Sequence, residues 1–248
     1  WEDVENDLGL AQVRLSVLDV SSAGHQPMVS ACGRYVLVFN GEIYNHLALR
    51  ELLTVQGQAP DWRGHSDTET LLAAVAGWGL EATLKSAVGM FSLALWDHSE
   101  QALYLARDRM GEKPLYYGFA GSALVFASEL KALHPIPSFD WTINRDAVAL
   151  MMRHNYIPAP YSIHKNVCKL MPGTYLRYTR DDLPSKFDVQ AVPYWSAYEV
   201  ALEGSRQPLR FNRDEDALDA LDNVLATSIR GQMMADVPLG AFLSGGVD

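Results

Sequence analysis

Hydrophobic and polar positions alternate along residues 11–19, and this alternation predicts a strand with Val13, Leu15 and Val17 on one face. Arg14 lies on the other face of that predicted strand. A guanidinium group there either has a carboxylate partner or is solvated. The pattern alone leaves both interpretations open.

A second apolar run, residues 35–39, predicts a strand that stops at Asn40 and Gly41. The Asn-Gly pair also fits a β-hairpin, but a hairpin needs a second alternating strand. Here the spacing becomes helical instead, from Asn45 as the cap to Gly57. A carboxamide and a glycine amide at a strand end are donors that can stabilise an anion formed during acyl transfer.

Helical spacing returns after Ser66, and Ser66 with Glu69 forms the pattern of a capping box. Asp67 lies in the first turn, where the helix dipole alone favours a carboxylate. The box does not use this carboxylate, however. Asp67 is therefore a candidate to hold an ammonium group.

Short alternating segments between turns follow, and they predict four strands, at residues 91–96, 102–106, 115–119 and 124–127. Asn144 is placed to cap a helix over residues 145–154, and residues 156–171 are expected to be irregular. Two helices followed by a run of antiparallel strands indicate a layered α+β fold, because alternating βαβ units are absent.

The composition changes near residue 179, and residues 179–212 are expected to connect two domains, residues 1–178 and residues 213–248. An amphipathic helix is predicted over residues 214–229. An apolar run over residues 237–243 predicts a buried strand. This strand leads into a glycine-rich turn of the kind that can cradle phosphate, with a hydroxyl group and a carboxylate nearby. The residues of this candidate nucleotide site are Ser244, Gly245, Gly246 and Asp248.

The composition narrows the function classes. The chain has 48% hydrophobic and 20% charged residues, as an ordinary globular protein does, and a net charge of −10. This acidity argues against nucleic-acid binding, and no apolar run is long enough to span a membrane. The two cysteines form no CxxC pair, which argues against a zinc site or a disulfide framework and favours a reducing, cytoplasmic location. Both ends look cut, so we expect a fragment.

Several motifs occur together in a fixed order, and with them the chain resembles the glutamine-hydrolysing asparagine synthetase family. They are Arg14-Leu15-Ser16, Asn40-Gly41-Glu42-Ile43-Tyr44-Asn45, Ser66-Asp67-Thr68-Glu69, Gly89-Met90-Phe91, the segment 106–117, Phe126-Ala127-Ser128-Glu129 and Ser244-Gly245-Gly246-Val247-Asp248. The resemblance covers nearly the whole chain. It implies a class II glutamine amidotransferase domain with an Ntn-hydrolase αββα sandwich, followed by the start of an α/β PP-loop ATP pyrophosphatase domain.

The resemblance also implies residue roles. Asn40 and Gly41 would form the oxyanion hole. Arg14 would hold the α-carboxylate of glutamine and Asp67 its α-ammonium group. Glu42 and the backbone at Leu18 would complete the glutamine pocket. The turn at residues 243–248 would bind ATP.

The implied reaction hydrolyses glutamine and passes the ammonia to a carboxylate, most often that of aspartate, which ATP and Mg²⁺ activate. The glutaminase domain itself would need no cofactor and no metal. The expected partners are therefore small molecules, with no nucleic acid and no membrane, and a homodimer stays open. The identity of the carboxylate that accepts the ammonia also stays open, because it could be a different one, such as a sugar acid in surface-polysaccharide synthesis.

One departure concerns the nucleophile, which in the family is a cysteine at the mature N-terminus. Residue 1 is Trp1, while Cys32 and Cys168 are internal and match no role. A chain of these 248 residues is therefore expected to hydrolyse no glutamine. The alternative is a non-catalytic module that kept the glutamine pocket and lost its cysteine, as beta-lactam synthetases did.

Overall fold

The computed structural model describes residues 1–137, 139–242 and 245. Antiparallel strands dominate its first 193 residues. The strands are β1 (Glu2–Asp3), β2 (Leu8–Gly9), β3 (Met28–Val29), β4 (Tyr35–Ile43), β5 (Gly89–Asp97), β6 (Ala102–Arg107), β7 (Tyr116–Ala120), β8 (Ala123–Ala127), β9 (Val167–Lys169), β10 (Thr174–Thr179) and β11 (Val192–Pro193).

Helices occupy the intervals between groups of strands and the C-terminal part. The α-helices are α1 (His46–Val55), α2 (Asp67–Trp78), α3 (Leu80–Ser86), α4 (Arg145–His154), α5 (Ala197–Arg206) and α6 (Asp214–Gln232). Short 3-10 helices lie at Ser22–Gly24, Leu130–Leu133 and Arg180–Asp188. Across the described residues, we find no helix with the length and apolar character needed to cross a membrane.

Two sheets stack face to face. The larger has six strands in the order β11-β10-β6-β5-β4-β3, and the smaller has three in the order β8-β7-β9. The β6–β10 pairing matches Ala106 with Tyr175, so it joins segments far apart in the sequence. This arrangement confirms the predicted layered α+β fold and the αββα sandwich that the resemblance implied.

Alternation along β4 divides its apolar side chains between the two faces of the larger sheet. Leu37 and Phe39 pack in the cluster that includes Leu71 and Leu72 of α2. Val36 and Val38 pack in the other cluster, with residues of the smaller sheet such as Phe119. Asn40 and Glu42 continue the second set in register, so they lie on the face between the two sheets.

Several predicted elements are confirmed. All four strands predicted between residues 91 and 127 form, within a residue or two of their predicted bounds. The helix Arg145–His154 forms as predicted, and the Asn144 side chain accepts hydrogen bonds from the amides of Asp146 and Ala147. Helix α6 begins at Asp214, as predicted.

The predicted strand over residues 11–19 is wrong. These residues pair with no strand, and Val13 and Leu15 are 99% and 91% exposed. Alternation specifies which side chains would share a face, but a strand also needs a neighbour that satisfies its backbone groups. At this edge of the larger sheet, β3 pairs with β4 only at Val36 and Leu37.

One other strand forms with a later end than predicted, and one further strand prediction fails. Strand β4 does not stop at Asn40 but continues to Ile43, because Gly41 and Glu42 pair with Phe91 and Met90 of β5. The apolar run at residues 237–242 forms no strand and pairs with none of the strands in the described part of the chain.

The predicted domain connection is partly integrated into the sandwich. Strand β11 pairs with β10, and the buried Tyr194 donates its hydroxyl hydrogen to the carbonyl of Arg107 at 2.7 Å. The predicted boundaries, 178 and 213, stay predictions.

Candidate functional site

The Asn40 carboxamide lies between the two sheets. Its Nδ2 donates to the hydroxyl of Ser128, which directly follows β8 of the smaller sheet, at 2.9 Å. A carboxamide nitrogen carries two hydrogens, so one remains for a ligand after this bond. The sequence motif at residues 126–129 contained Ser128, but no role for it followed from the pattern.

Gly41 is required by the close approach of β4 to β5. A Cβ atom built on Gly41 would lie 2.1 Å from the carbonyl oxygen of Met90 and 2.6 Å from Cα of Phe91. No real Cβ atom tolerates such distances to backbone atoms. The packing of β4 against β5 therefore explains why residue 41 is glycine, whatever role its backbone amide has.

The Gly41 amide points to the open edge of β4. Successive amides of a strand leave it on opposite edges. The amides of Phe39 and Ile43 leave on the side away from β5, because they donate to Gln26 Oε1 at 2.7 Å and to Asp67 Oδ2 at 2.8 Å. Gly41 lies midway between them, so its amide leaves on this same edge.

Asp67 connects the start of α2 to the end of β4. Its Oδ2 accepts from the Ile43 amide and its Oδ1 from the Thr68 amide, both at 2.8 Å, and the residue is only 4% exposed. Burial raises the pKa of the Asp67 carboxyl above its ordinary value, although these two amides and the nearby Arg14 act in the opposite direction. A cationic ligand would stabilise the ionised form.

Only half of the predicted capping box forms. The Ser66 hydroxyl accepts from the Glu69 amide at 3.2 Å. The Glu69 carboxylate accepts instead from the amides of Arg63 and Gly64, at 2.9 and 3.1 Å. Glu69 therefore shapes the loop that precedes α2.

Arg50, which the sequence interpretation missed, holds the same loop from α1. It donates to the carbonyls of Gly64 and Ser66 at 2.9 and 3.0 Å and to the hydroxyl of Thr70 at 2.7 Å. Its guanidinium group also lies over the Trp62 ring, 4.0 Å from the centroid. An arginine inside an amphipathic helix was the available signal. Without the fold, its partners could not be identified.

Arg14 is bound by its own loop and not by a carboxylate. Its two terminal nitrogens donate to the carbonyls of Asp19 and Leu18, at 2.9 and 2.5 Å. The guanidinium group packs against Gly24, where an added Cβ would overlap it. Carbonyl groups of its own loop therefore fix Arg14. A carboxylate partner for its charge stays a prediction.

Glu42 adds a second carboxylate near Asp67. Burial first, and then the Asp67 charge, raise the pKa of Glu42, while Lys113 lowers it. The structure thus brings together one guanidinium group and two carboxylates, beside the Asn40 carboxamide. A zwitterionic amino acid presents the complementary pair of charges, a carboxylate and an ammonium group.

The candidate nucleotide site falls almost wholly outside the described residues. Leu243, Ser244, Gly246 and Asp248 are not described, and Gly245 has a φ of +77°, a conformation that favours glycine. The ATP-binding role of this turn stays a prediction.

Neither cysteine lies at the site. Cys32 precedes Tyr35, the first residue of β4, and the strand rises roughly 16 Å from Tyr35 to Asn40, so Cys32 lies beyond the far end of that distance. Partial burial raises the pKa of its thiol, but hydrogen bonds with Ser30 and Arg34 outweigh this and lower the pKa overall. Cys168 lies in β9 of the smaller sheet, where burial raises its pKa.

Known proteins resemble this chain over most of its length. Residues 1–195 match the family model described as Glutamine amidotransferase domain, and residues 220–248 match the one described as Asparagine synthase. A Mycobacterium tuberculosis protein named Putative asparagine synthetase (glutamine-hydrolyzing) is 37% identical over 242 residues, which are 95% of this chain and 35% of the relative. Asparagine synthetase (glutamine-hydrolyzing) 1 of Bacillus subtilis is 34% identical over 244 residues, 98% of this chain and 36% of the relative. The chain thus spans about a third of the length of these curated relatives.

Two solved structures share the fold. One is described as the allosteric regulatory enzyme of purine biosynthesis, with a TM-score of 0.53 and 19% identity. The other is glutamine phosphoribosylpyrophosphate amidotransferase from B. subtilis, with a TM-score of 0.50 and 21% identity. Each likeness covers 74% of this chain and 34% of the other. The chain therefore belongs to the glutamine amidotransferase domain family, in the form that accompanies asparagine synthase regions.

Proposed function

We propose that this domain binds L-glutamine at the end of β4 and supports hydrolysis of its side-chain amide to glutamate and ammonia. The observation that carries the proposal is the grouping of Arg14, Glu42 and Asp67 beside Asn40 and Gly41. Arg14 would bind the α-carboxylate, and Asp67 with Glu42 would bind the α-ammonium group. Both charged groups on the α-carbon would then be fixed, which directs the side-chain amide at the other end of the molecule toward Asn40.

Hydrolysis of an amide by a thiol passes through a tetrahedral intermediate with a negatively charged oxygen. The second hydrogen of Asn40 Nδ2 and the amide of Gly41 are the donors that would stabilise this oxygen. Ser128 would orient the carboxamide, because it accepts the first hydrogen. Cys32 and Cys168 are misplaced for the attack, so the thiol would come from outside these 248 residues, as the family resemblance implies.

In the whole protein, the ammonia would be transferred to an activated carboxylate, with aspartate as the leading candidate acceptor. The support is the Asparagine synthase match at residues 220–248 and the names of the relatives. ATP with Mg²⁺ would supply the activation in that second region, where the turn at residues 243–248 would contribute to nucleotide binding.

The binding step can be tested without any nucleophile. Titration calorimetry should detect L-glutamine binding to the protein, and Asp67→Asn should weaken it by about 10- to 100-fold, because a charge-assisted hydrogen bond is lost. Asparagine keeps one acceptor oxygen for the Ile43 amide but loses the acceptor for the Thr68 amide. The fold should survive this loss, and Tm measures its effect on stability. Asp61→Asn, an exposed change in the preceding loop, is the matched control and should leave the Kd unchanged.

A second ligand makes this experiment specific. Glutaramate has the side-chain amide and one carboxylate of glutamine but no amino group, so it cannot contact Asp67 through an ammonium group. We expect Asp67→Asn to change glutaramate binding less than threefold. Equal losses for both ligands, or no glutamine binding by the parent protein, would contradict the proposed function.

A further inference from the structure

The segment after α6 contacts the loop that fixes Arg14. Asp236 Oδ2 accepts from the Asp19 amide at 2.7 Å, and the Asp236 amide donates to the carbonyl of Val17 at 2.9 Å. These bonds join residues more than 200 positions apart in the sequence. They bind the two sides of Leu18, whose carbonyl accepts from Arg14.

Asp236 also reaches the loop that leads to Asp67. His65 donates through Nε2 to Asp236 Oδ2 at 2.6 Å, and the His65 amide donates to Asp19 Oδ2 at 2.8 Å. Gly64 lies against the same Asp19 carboxylate, where an added Cβ would be 2.1 Å from Oδ2. Asp236 and Asp19 together thus connect the loop of Arg14 with the loop that precedes α2.

The backbone contacts suggest an effect on geometry more than on charge. The side chains of His65 and Asp236 are 61% and 37% exposed. An ion pair that is so exposed to water contributes little to stability by itself. The bonds to the Asp19 amide and the Val17 carbonyl are directional, however. They limit how far the Leu18 and Asp19 carbonyls can move relative to Arg14.

We propose that Asp236 is a positioning residue for glutamine binding: through the Val17–Asp19 backbone it holds Arg14 in the orientation that receives the α-carboxylate. This role rests on the proposed function. Asp236 lies within the region that matches the Asparagine synthase model, whereas Arg14 lies within the glutamine amidotransferase match. Glutamine affinity would therefore depend on the conformation of the second region.

The test compares Asp236→Ala with Asp236→Asn in the full-length protein. The alanine variant loses the acceptor for the Asp19 amide, and we expect its KM for glutamine to rise about three- to tenfold, with kcat changed less than twofold. The asparagine variant keeps an acceptor oxygen and should recover at least half of the loss on a logarithmic scale. Asp222→Ala, at an exposed position of α6, is the matched control and should keep the parent KM.

Two further readouts separate the possible failures. Ammonia-dependent synthesis bypasses glutamine, so Asp236→Ala should leave its rate unchanged. Hydrogen–deuterium exchange of peptides covering residues 14–21 should accelerate in the alanine variant alone. The positioning role would be overturned if Asp236→Ala had the same KM for glutamine as the parent, or if it lost glutamine-dependent and ammonia-dependent synthesis equally. Glutamine use by the parent would still support the proposed function in either case. A parent that uses no glutamine would overturn both.

Discussion

The ionised form of the Glu42 carboxylate is destabilised by its surroundings in the folded protein. Its pKa is raised first by burial and then by Asp67, so the ionised form is less favourable in the folded than in the unfolded state. The sign follows from linkage: as the pH rises from the ordinary glutamate pKa through the raised one, the folded state loses stability. Above the raised pKa this cost is fully present.

We therefore expect Glu42→Gln to stabilise the protein and to weaken glutamine binding. The gain in the free energy of unfolding should be about 0.5 to 1 kcal/mol, as when a strained functional group is removed. Urea unfolding and calorimetry measure the two effects. Glu51→Gln, an exposed change on α1, should alter neither. A destabilised Glu42→Gln protein with unchanged glutamine affinity would contradict the assignment.

At the residue scale, the sequence identified the candidate ligands of the substrate better than their supports. Asn40, Glu42 and Asp67 were found because their motifs are short and contiguous. Ser128 and Arg50 were missed because their partners lie 88 and up to 20 positions away. No local pattern encodes such a contact. The roles of the candidate ligands remain predictions until the variants are measured.

Among the elements, β4 and β5 depend on an unusually close approach at Gly41. Gly41→Ala would bring Cβ against the carbonyl of Met90, and neither backbone can move without disturbing the central ladder. We expect a loss of at least about 2 kcal/mol in the free energy of unfolding, in the range of overpacked core positions. Chemical denaturation of both proteins gives this value directly.

Gly204→Ala is the matched control for this change. Gly204 lies in α5 and has open space around it, so alanine should stabilise the helix by about 0.5 to 1 kcal/mol. If both alanine variants had the same stability, the close approach at Gly41 would not be a constraint in solution.

Helices and strands were predicted correctly where the neighbouring sequence contained every feature that the element needs. The helix Arg145–His154 has its own cap in Asn144, and α6 begins with three acidic residues, so both were predictable. Residues 11–17 alternate without a break, yet their Arg14 bonds to carbonyls of its own loop and no strand forms. Alternation shows which side chains would share a face of a strand, but it does not show whether an adjacent strand is present to form backbone hydrogen bonds.

For the whole molecule, the order of strands could not be derived from periodicity. The ladder between β6 and β10 joins segments about 70 residues apart, and the stacking of the two sheets puts Ser128 against Asn40. The family resemblance supplied the αββα sandwich but not the strand order or the Ser128 contact, and the structural likeness at TM-scores of 0.53 and 0.50 agrees with the sandwich. The site is a product of that stacking, because its groups come from β4, the loop of Arg14, α2 and the end of β8.

We expect Asn40 to donate to the oxyanion formed during glutamine hydrolysis, and Asn40→Ala in the full-length protein tests this role. We expect glutaminase kcat to fall by roughly 10²- to 10³-fold, as for other oxyanion-hole donors, with little change in KM. Ammonia-dependent synthesis and Tm serve as controls for folding and should stay near the parent values. A glutaminase kcat within threefold of the parent would contradict the account.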